Sequence, residues 1–244
     1  MIRIEAIFVG EPRDFTDEKG TWRSAIYRSR VEGQIELRET GLAGDRVANT
    51  KNHGSPGQAV CVHPITHYDF WNETYGLKQP GCLGPGSVGE NWTISGADEA
   101  TIYCGDVYEV GSAMVRVSGP RMPCWKQERK LGLEGFLKRT MDSRRTGFYL
   151  QVLQPGTVNS ADLWKLRVRP ESPISLDLVN QAAYQELDAL LLQRIIAGEG
   201  LAQGWTWRLI PRSGAQIFFA KRPPGGNLKV LNLAFEQRQF MRAV

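Results

Sequence analysis

Glycine and proline cut residues 2–168 into short apolar runs, most of them alternating, and this punctuation constrains the fold more than any other feature. Runs of that length and period are strands, and strands joined by turns rather than by long helices point to a β-barrel or sandwich rather than a βαβ sheet. Residues 2–9 open the series, followed by a polar stretch over 11–20 that reads as a loop or hairpin tip. Further strands are expected over about 22–28, 31–38, 106–110, 113–118, 147–153 and 163–168. Gly111-Ser112 makes the tight connection between two of them. The last run closes the barrel-like region.

The run Ala113-Met-Val-Arg-Val-Ser118 leads into Gly119-Pro-Arg-Met-Pro-Cys124-Trp-Lys126. Two prolines fix their own φ and push the residues before them toward extended geometry, so Cys124 stands on a stiff loop just past a strand. Arg121 and Lys126 flank it, and cations favour the thiolate, the form that attacks electrophiles or binds soft metals. A small buried apolar side chain is the alternative reading of the same cysteine. The other three cysteines lack this neighbourhood: Cys61 lies inside an apolar strand, Cys82 in a Gly/Pro loop and Cys104 before a turn. No Cys-x-x-Cys pair exists, so a structural zinc site is not expected, and the four thiols are expected to be free.

Composition bounds the rest. The 244 residues are 41% hydrophobic and 23% charged, with a net charge of +4, which suits anionic small molecules rather than nucleic acid. The basic residues are scattered and do not interleave with aromatics. No apolar run approaches the ~20 residues of a bilayer span, and the first residues lack a signal-peptide core. A cytoplasmic protein with no membrane partner is expected.

Two loops present polar groups at strand starts. Lys51-Asn-His-Gly-Ser-Pro-Gly-Gln58 offers His53 and Ser55 on flexible backbone, though turn chemistry accounts for the same residues. Ser87-Val-Gly-Glu-Asn-Trp-Thr93 sets Glu90 beside Asn91, a pair able to read a heterocycle or to satisfy a turn. His63 and His67, bordering a helix over about 65–75, are read as structural. A second amphipathic helix is expected over about 133–142, with Lys138, Arg139, Arg144 and Arg145 on its outer side and exit. Such runs are usually solvated, although an anionic phosphate would find partners there.

Pro170-Glu-Ser-Pro173 marks a boundary between a first domain, 1–169, and a small module, 174–212. Within the module, Ser175 caps a helix reaching about 183, a second helix ends at Gly198, and a third runs over about 201–210. Three such short helices are expected to bury their stripes on one another. Residues 213–244, with a strand-like Ile217-Phe-Phe219, form a tail of no assigned role.

Taken in order, Gly41-Leu-Ala-Gly-Asp45, His53-Gly-Ser-Pro56 with Ala59-Val, Gly89-Glu-Asn91, Gly105-Asp106 and above all Pro120-Arg-Met-Pro-Cys124 resemble the bacterial YiiM proteins of the MOSC group. That group is named for the carboxy-terminal domain of molybdenum cofactor sulfurase. The helical module, with Gly200-Leu201 and Trp205, is similar to the appended domain of the same proteins. The resemblance implies a mainly β fold with α, a barrel-like MOSC domain followed by the three-helix module.

The resemblance also implies that the protein binds the molybdenum cofactor, with Cys124 as catalytic metal ligand. His53, Gly54 and Ser55 would line the cofactor, Asn91 would meet the pterin, and Arg121 would offset its charge. Relatives often continue the histidine loop as Gly-Pro-Asp-Arg, where this chain has Ser55-Pro-Gly-Gln58. The implied activity is reduction of N-hydroxylated compounds such as hydroxylamino-purines to amines. With no flavin, haem or iron–sulfur motif in the chain, and no pyridoxal phosphate expected, electrons would come from a separate flavin-containing reductase. A homodimer is compatible with this picture. A molybdenum cofactor or sulfur carrier without turnover and a cysteine hydrolase using His53 and Cys124 are the competing readings.

Overall fold

The computed structural model describes residues 1–212, 216–217 and 233–234. The chain begins with β1 (Arg3–Val9), which alternates as expected, then forms a hairpin of β2 (Arg13–Asp17) and β3 (Gly20–Ser24). The polar stretch over 11–20 is therefore mostly strand, and the strand expected over 22–28 stops at Ser24. Ala25, Ile26 and Arg28 instead turn inward as irregular backbone lining a cavity. The run over 31–38 divides at Gly33 into β4 (Ser29–Val31) and β5 (Ile35–Arg38), because Gly33 takes a φ of 78° and turns the chain. Next come β6 (Gly41–Leu42) and α1 (Thr50–His53), whose first turn is capped by the Asn49 side chain.

A buried strand, β7 (Val60–Pro64), leads to α2 (Thr66–Thr74) and then to β8 (Trp92–Ser95), parallel to β7. The hairpin of β9 (Val107–Val110) and β10 (Ala113–Pro120) forms around Gly111-Ser112 as the sequence predicts. Beyond the cysteine stand α3 (Trp125–Leu131) and α4 (Phe136–Ser143). Then follow β11 (Phe148–Gln154), β12 (Gly156–Val158) and β13 (Trp164–Val168).

Eight strands make the main sheet in the order β13-β9-β10-β11-β7-β8-β1-β4. The sheet curls until its far side returns to β1. Ile4 N–H donates to Asp162 O at 3.0 Å, Ala161 N–H to Ile4 O at 2.7 Å, and Arg3 bridges Leu163. This is the barrel-like closure expected of the last strand. Inside it, Ile4, Trp92, Val115, Val117, Phe148 and Leu150 are buried in one apolar cluster. A satellite cluster of Tyr68, Trp71, Val88 and Phe136 fills the gap between α2 and α4.

The three expected helices are α5 (Leu176–Tyr184), capped by Ser175 Oγ, α6 (Ala189–Ala197) and α7 (Gln203–Leu209). Their apolar stripes are not confined to one another. Leu176, Val179, Ile195, Trp205 and Leu209 belong to the same cluster as the barrel interior, with α5 packed on β10. β14 (Gln216–Ile217) pairs with β15 (Leu233–Ala234), and the remainder of 213–244, including the rest of the strand expected at Ile217, lies outside the described residues. No helix among the described residues is long and apolar enough to cross a membrane.

Candidate functional site

A cavity of about 930 Å³ opens beside the carboxy-terminal end of β10, a volume that suits a bound cofactor or substrate. His53, Gly54, Ser55, Asn91, Arg121 and Cys124, drawn from three separate stretches of sequence, all line it. Each is brought there by a local cause. The single Ser118 hydroxyl proton is shared between Gly57 O and, at 3.0 Å, Tyr149 O, and so ties the histidine loop to β10 and β11. Arg121 N–H donates to Gly147 O at 2.8 Å, fixing the start of the cysteine loop. Cys124 is half-buried and takes the N-cap position of α3, where its own N–H donates to Gln127 Oε1 at 3.1 Å. The stiff loop therefore ends at the start of a helix rather than in open coil.

Two cations dominate the cavity floor. Burial opposes the Arg121 charge, yet the guanidinium is held cationic, with Glu90 among the acidic groups around it. Its Nη2–H donates to Val88 O at 3.1 Å, while Nη1 is buried with no protein acceptor. Arg28, half-buried, is held by Asp45 through contacts of 3.0 and 3.1 Å, and by Gly89 O. Asp45 also accepts from Gly10 N–H at 2.8 Å, so the carboxylate at the end of the Gly41–Asp45 motif is a fastening rather than a ligand. Burial, with Arg121, Lys126 and Arg28 nearby, holds His53 below its ordinary value and hence neutral. Lys126 completes the basic lining.

The side chains of Glu90 and Asn91 part company. Glu90 is buried and accepts from Gly86 N–H at 2.7 Å, Thr93 Oγ1 at 2.7 Å and the Tyr68 hydroxyl, which satisfies a turn and reads no heterocycle. Asn91 stands on the cavity wall, but its Oδ1 accepts from Cys61 N–H at 3.0 Å and its Nδ2 donates to Phe8 O at 3.2 Å. It ties the segment before β8 to both β7 and β1. Ser55 is exposed, and its hydroxyl donates to Gln58 Oε1 at 2.9 Å.

Cys61 and Tyr149 also face the cavity, although neither stands in a stretch whose local pattern points to a site. They are direct partners in the β11–β7 ladder. Burial pushes both the Cys61 thiol and the Tyr149 phenol up, so each stays protonated. Only the pairing register of two strands almost 90 residues apart joins them, and no local motif announces it. Lys138, Arg139, Arg144 and Arg145 are absent from the lining. Arg144 pairs with Asp177 at 2.7 Å, Lys138 with Asp142 at 2.5 Å, and Arg139 and Arg145 lie over Tyr75 and Phe70. His63 and His67 are buried outside the cavity, as a structural reading requires. The four cysteines are free thiols.

Residues 49–164, which carry the histidine loop and the cysteine, match the MOSC domain. The chain is 32% identical over 198 residues to the uncharacterized protein YflK of Bacillus subtilis, covering 81% of this chain and 88% of that one. The chain belongs to the MOSC domain family. To the YiiM protein of Escherichia coli it is 30% identical over 201 residues, covering 82% and 89% of the two chains. A Gibberella moniliformis protein named a reductase is 28% identical over 184 residues, and this chain covers only 30% of its length. Among solved structures, YiiM from Geobacillus stearothermophilus superposes with a TM-score of 0.72 at 28% identity, covering 87% of this chain and all of that one. The MOSC match ends at 164, whereas the structural likeness continues well into the helical module.

Proposed function

We propose that this MOSC protein binds the molybdenum cofactor in the cavity and reduces N-hydroxylated compounds to amines. The observation that carries the proposal is the meeting, in one basic cavity, of a half-buried soft sulfur at Cys124 with the Arg121 guanidinium, whose Nη1 is buried without a protein acceptor. A buried donor of that kind fits a bound anion, and the pterin's phosphate and dithiolene are anionic. The volume and the donor set therefore fit the cofactor. When bound, it would supply the two-electron step, R–NH–OH + 2 e⁻ + 2 H⁺ → R–NH₂ + H₂O, with electrons from a separate flavin-containing reductase.

The chain's own residues do the rest. Cys124 Sγ is the soft donor for the metal, set in place by two prolines and the Gln127 side chain. Arg121, Arg28 and Lys126 offset anionic charge, and His53, kept neutral by burial and those cations, offers a hydrogen bond without adding to the positive field. Tyr149 and Cys61, both held protonated, present donors to the cavity. The reductase name of the Gibberella relative agrees with a redox role. No hydrogen bond joins the His53 ring to the Cys124 sulfur, which favours a ligand over a hydrolytic nucleophile.

The test uses protein from a host that makes the cofactor, assayed with a hydroxylamino-purine and a reduced viologen dye. Wild type is expected to turn over, and Cys124→Ser to lose activity by at least a hundredfold with thermal stability retained. Retained turnover in Cys124→Ser refutes the assignment. Release of intact cofactor to an acceptor protein without any turnover supports a carrier instead.

A further inference from the structure

The hairpin of β2 and β3 shares no strand pairing with the main sheet, yet both its feet stand in the cavity wall. Glu11 lines the cavity ahead of β2, and Ser24, Ala25, Ile26 and Arg28 line it at and beyond the end of β3. The two feet are fastened at one point. The Asp45 carboxylate accepts from Gly10 N–H at 2.8 Å and holds the Arg28 guanidinium through contacts of 3.0 and 3.1 Å. Ile26 rests on Gly89, where a Cβ would collide with it, and two residues further on Asn91 accepts from Cys61 N–H at 3.0 Å. The hairpin's second foot therefore adjoins the side of the cavity on which Cys61 lies.

Between the feet, three side chains of α3 make the hydrogen bonds that tie residues 13–26 to the rest of the described structure. Lys126 Nζ donates to Arg23 O at 2.6 Å and Lys130 Nζ to Ile26 O at 3.2 Å, while Arg129 donates to both Asp17 carboxylate oxygens and, at 2.5 Å, to Gly20 O. Ring contacts reach the same helix: Trp22 packs on Trp125 at 5.8 Å between centroids, and the Arg129 guanidinium lies 5.3 Å from the Trp22 ring. A two-stranded hairpin is marginal in water unless a helix or further strands support it, and of its strand residues only Trp22 and Ser24 are buried. Solvent-reached ion pairs hold weakly one by one. An element with so little buried apolar surface opens locally at a cost far below that of unfolding the barrel.

We infer that the hairpin is a gate: it is hinged where Asp45 fastens Gly10 and Arg28, latched to α3 by Asp17 and Arg129, and opens to admit and release the occupant of the cavity. Opening lifts Ser24, Ala25 and Ile26 out of the wall. Closing seats them again beside the helix whose N-cap is Cys124, so one latch governs both access and the bracing of the cysteine loop. The inference rests on the function proposed above for the occupant's name, the molybdenum cofactor; the opening itself is measurable without it.

Native thiols supply the test. Cofactor-free protein is labelled with a bulky maleimide and each cysteine is followed by peptide mass spectrometry, in a Cys124→Ser background so that the other thiol of the cavity does not obstruct. Cys61 lines the cavity and is 6% exposed, whereas Cys104, 1% exposed and outside the lining, reports loosening of the whole fold. Arg129→Ala, and Asp17→Asn as the milder variant, are each expected to speed Cys61 labelling about three- to tenfold and to leave Cys104 unchanged. Unchanged Cys61 labelling in both variants shows a fixed wall and overturns the gate, and so does a parallel rise at Cys104. In loaded protein with Cys124 intact, the same two substitutions are expected to speed loss of molybdenum during dialysis by a similar factor, read by elemental analysis; loss at the wild-type rate overturns the gate as the cofactor's route. Cys61 labelling that follows the latch in a protein that takes up no molybdenum overturns the cofactor reading and leaves the gate standing.

Discussion

His63 is 1% exposed, and neither of its ring nitrogens has a hydrogen-bond partner. Burial, with His67 and Arg121 adding like charge, holds it well below the ordinary 6.5, so the folded chain carries it neutral. Around it stand the His67 ring at 5.0 Å, the Tyr68 ring at 5.2 Å and, across from α2, Gly147. Once unfolded, the same imidazole takes a proton below its unperturbed value. Unfolding therefore binds a proton, and stability is present above pH 6.5 and is lost as the pH falls through it, by up to about 1.4 kcal/mol per pH unit. Denaturant titrations at pH 7.5 and 5.5 are expected to show that loss, and His63→Gln to flatten it by about half or more. An unchanged slope in the variant would refute the assignment. Cys124 was legible in the sequence because prolines and cations lie beside it in the chain. Arg28, Cys61 and Tyr149 were not, since their place in the cavity comes from strands and turns distant in sequence.

At the scale of elements, the turn before β11 decides where the cysteine loop begins. Gly147 has a φ of 74°, and a Cβ there would press on Val62 O and stand 3.0 Å from His63 Nδ1. Its N–H donates to Glu99 Oε1 at 2.6 Å, and its carbonyl accepts from Arg121 N–H at 2.8 Å. Glu99 Oε2 in turn lies 3.1 Å from His67 Nε2, so a buried carboxylate fixes the loop through a single glycine. Gly147→Ala is expected to destabilise the fold by about 3 kcal/mol, the sum of a left-handed alanine and overpacking. It should also weaken molybdenum retention, read by elemental analysis of folded protein. Stability and metal content equal to wild type would show that the turn tolerates a side chain. The β9–β10 hairpin and the module's helices could be read from period and punctuation. By contrast, α3 could not: Lys126-Gln-Glu-Arg-Lys130 has no apolar repeat, and the helix is held by Arg129 and Lys130 reaching the hairpin and Gly86 O.

For the whole molecule, the Pro170–Pro173 boundary separates two stretches of chain that share one interior. Trp205 Nε1–H donates to Pro120 O at 2.9 Å, Ala202 N–H donates to Ser118 O at 2.8 Å, and Gly119 approaches the Trp205 ring so closely that a Cβ would stand 2.7 Å from it. The helical module thus backs the same loop whose front carries Cys124. Its apolar residues are inseparable from the barrel cluster, so removing the module strips the cover from Val115 and Val117 as well as from the loop. A chain ending at Arg169 is accordingly expected to aggregate or to unfold without a cooperative transition. Trp205→Ala in the full chain is expected to lose about 3–5 kcal/mol in a single transition, because the cavity it leaves lies in the common core. Calorimetry decides the matter. Were the shortened chain to unfold cooperatively at the midpoint of the full one, the barrel would have an interior of its own, and the cysteine loop would owe its position to the strands alone.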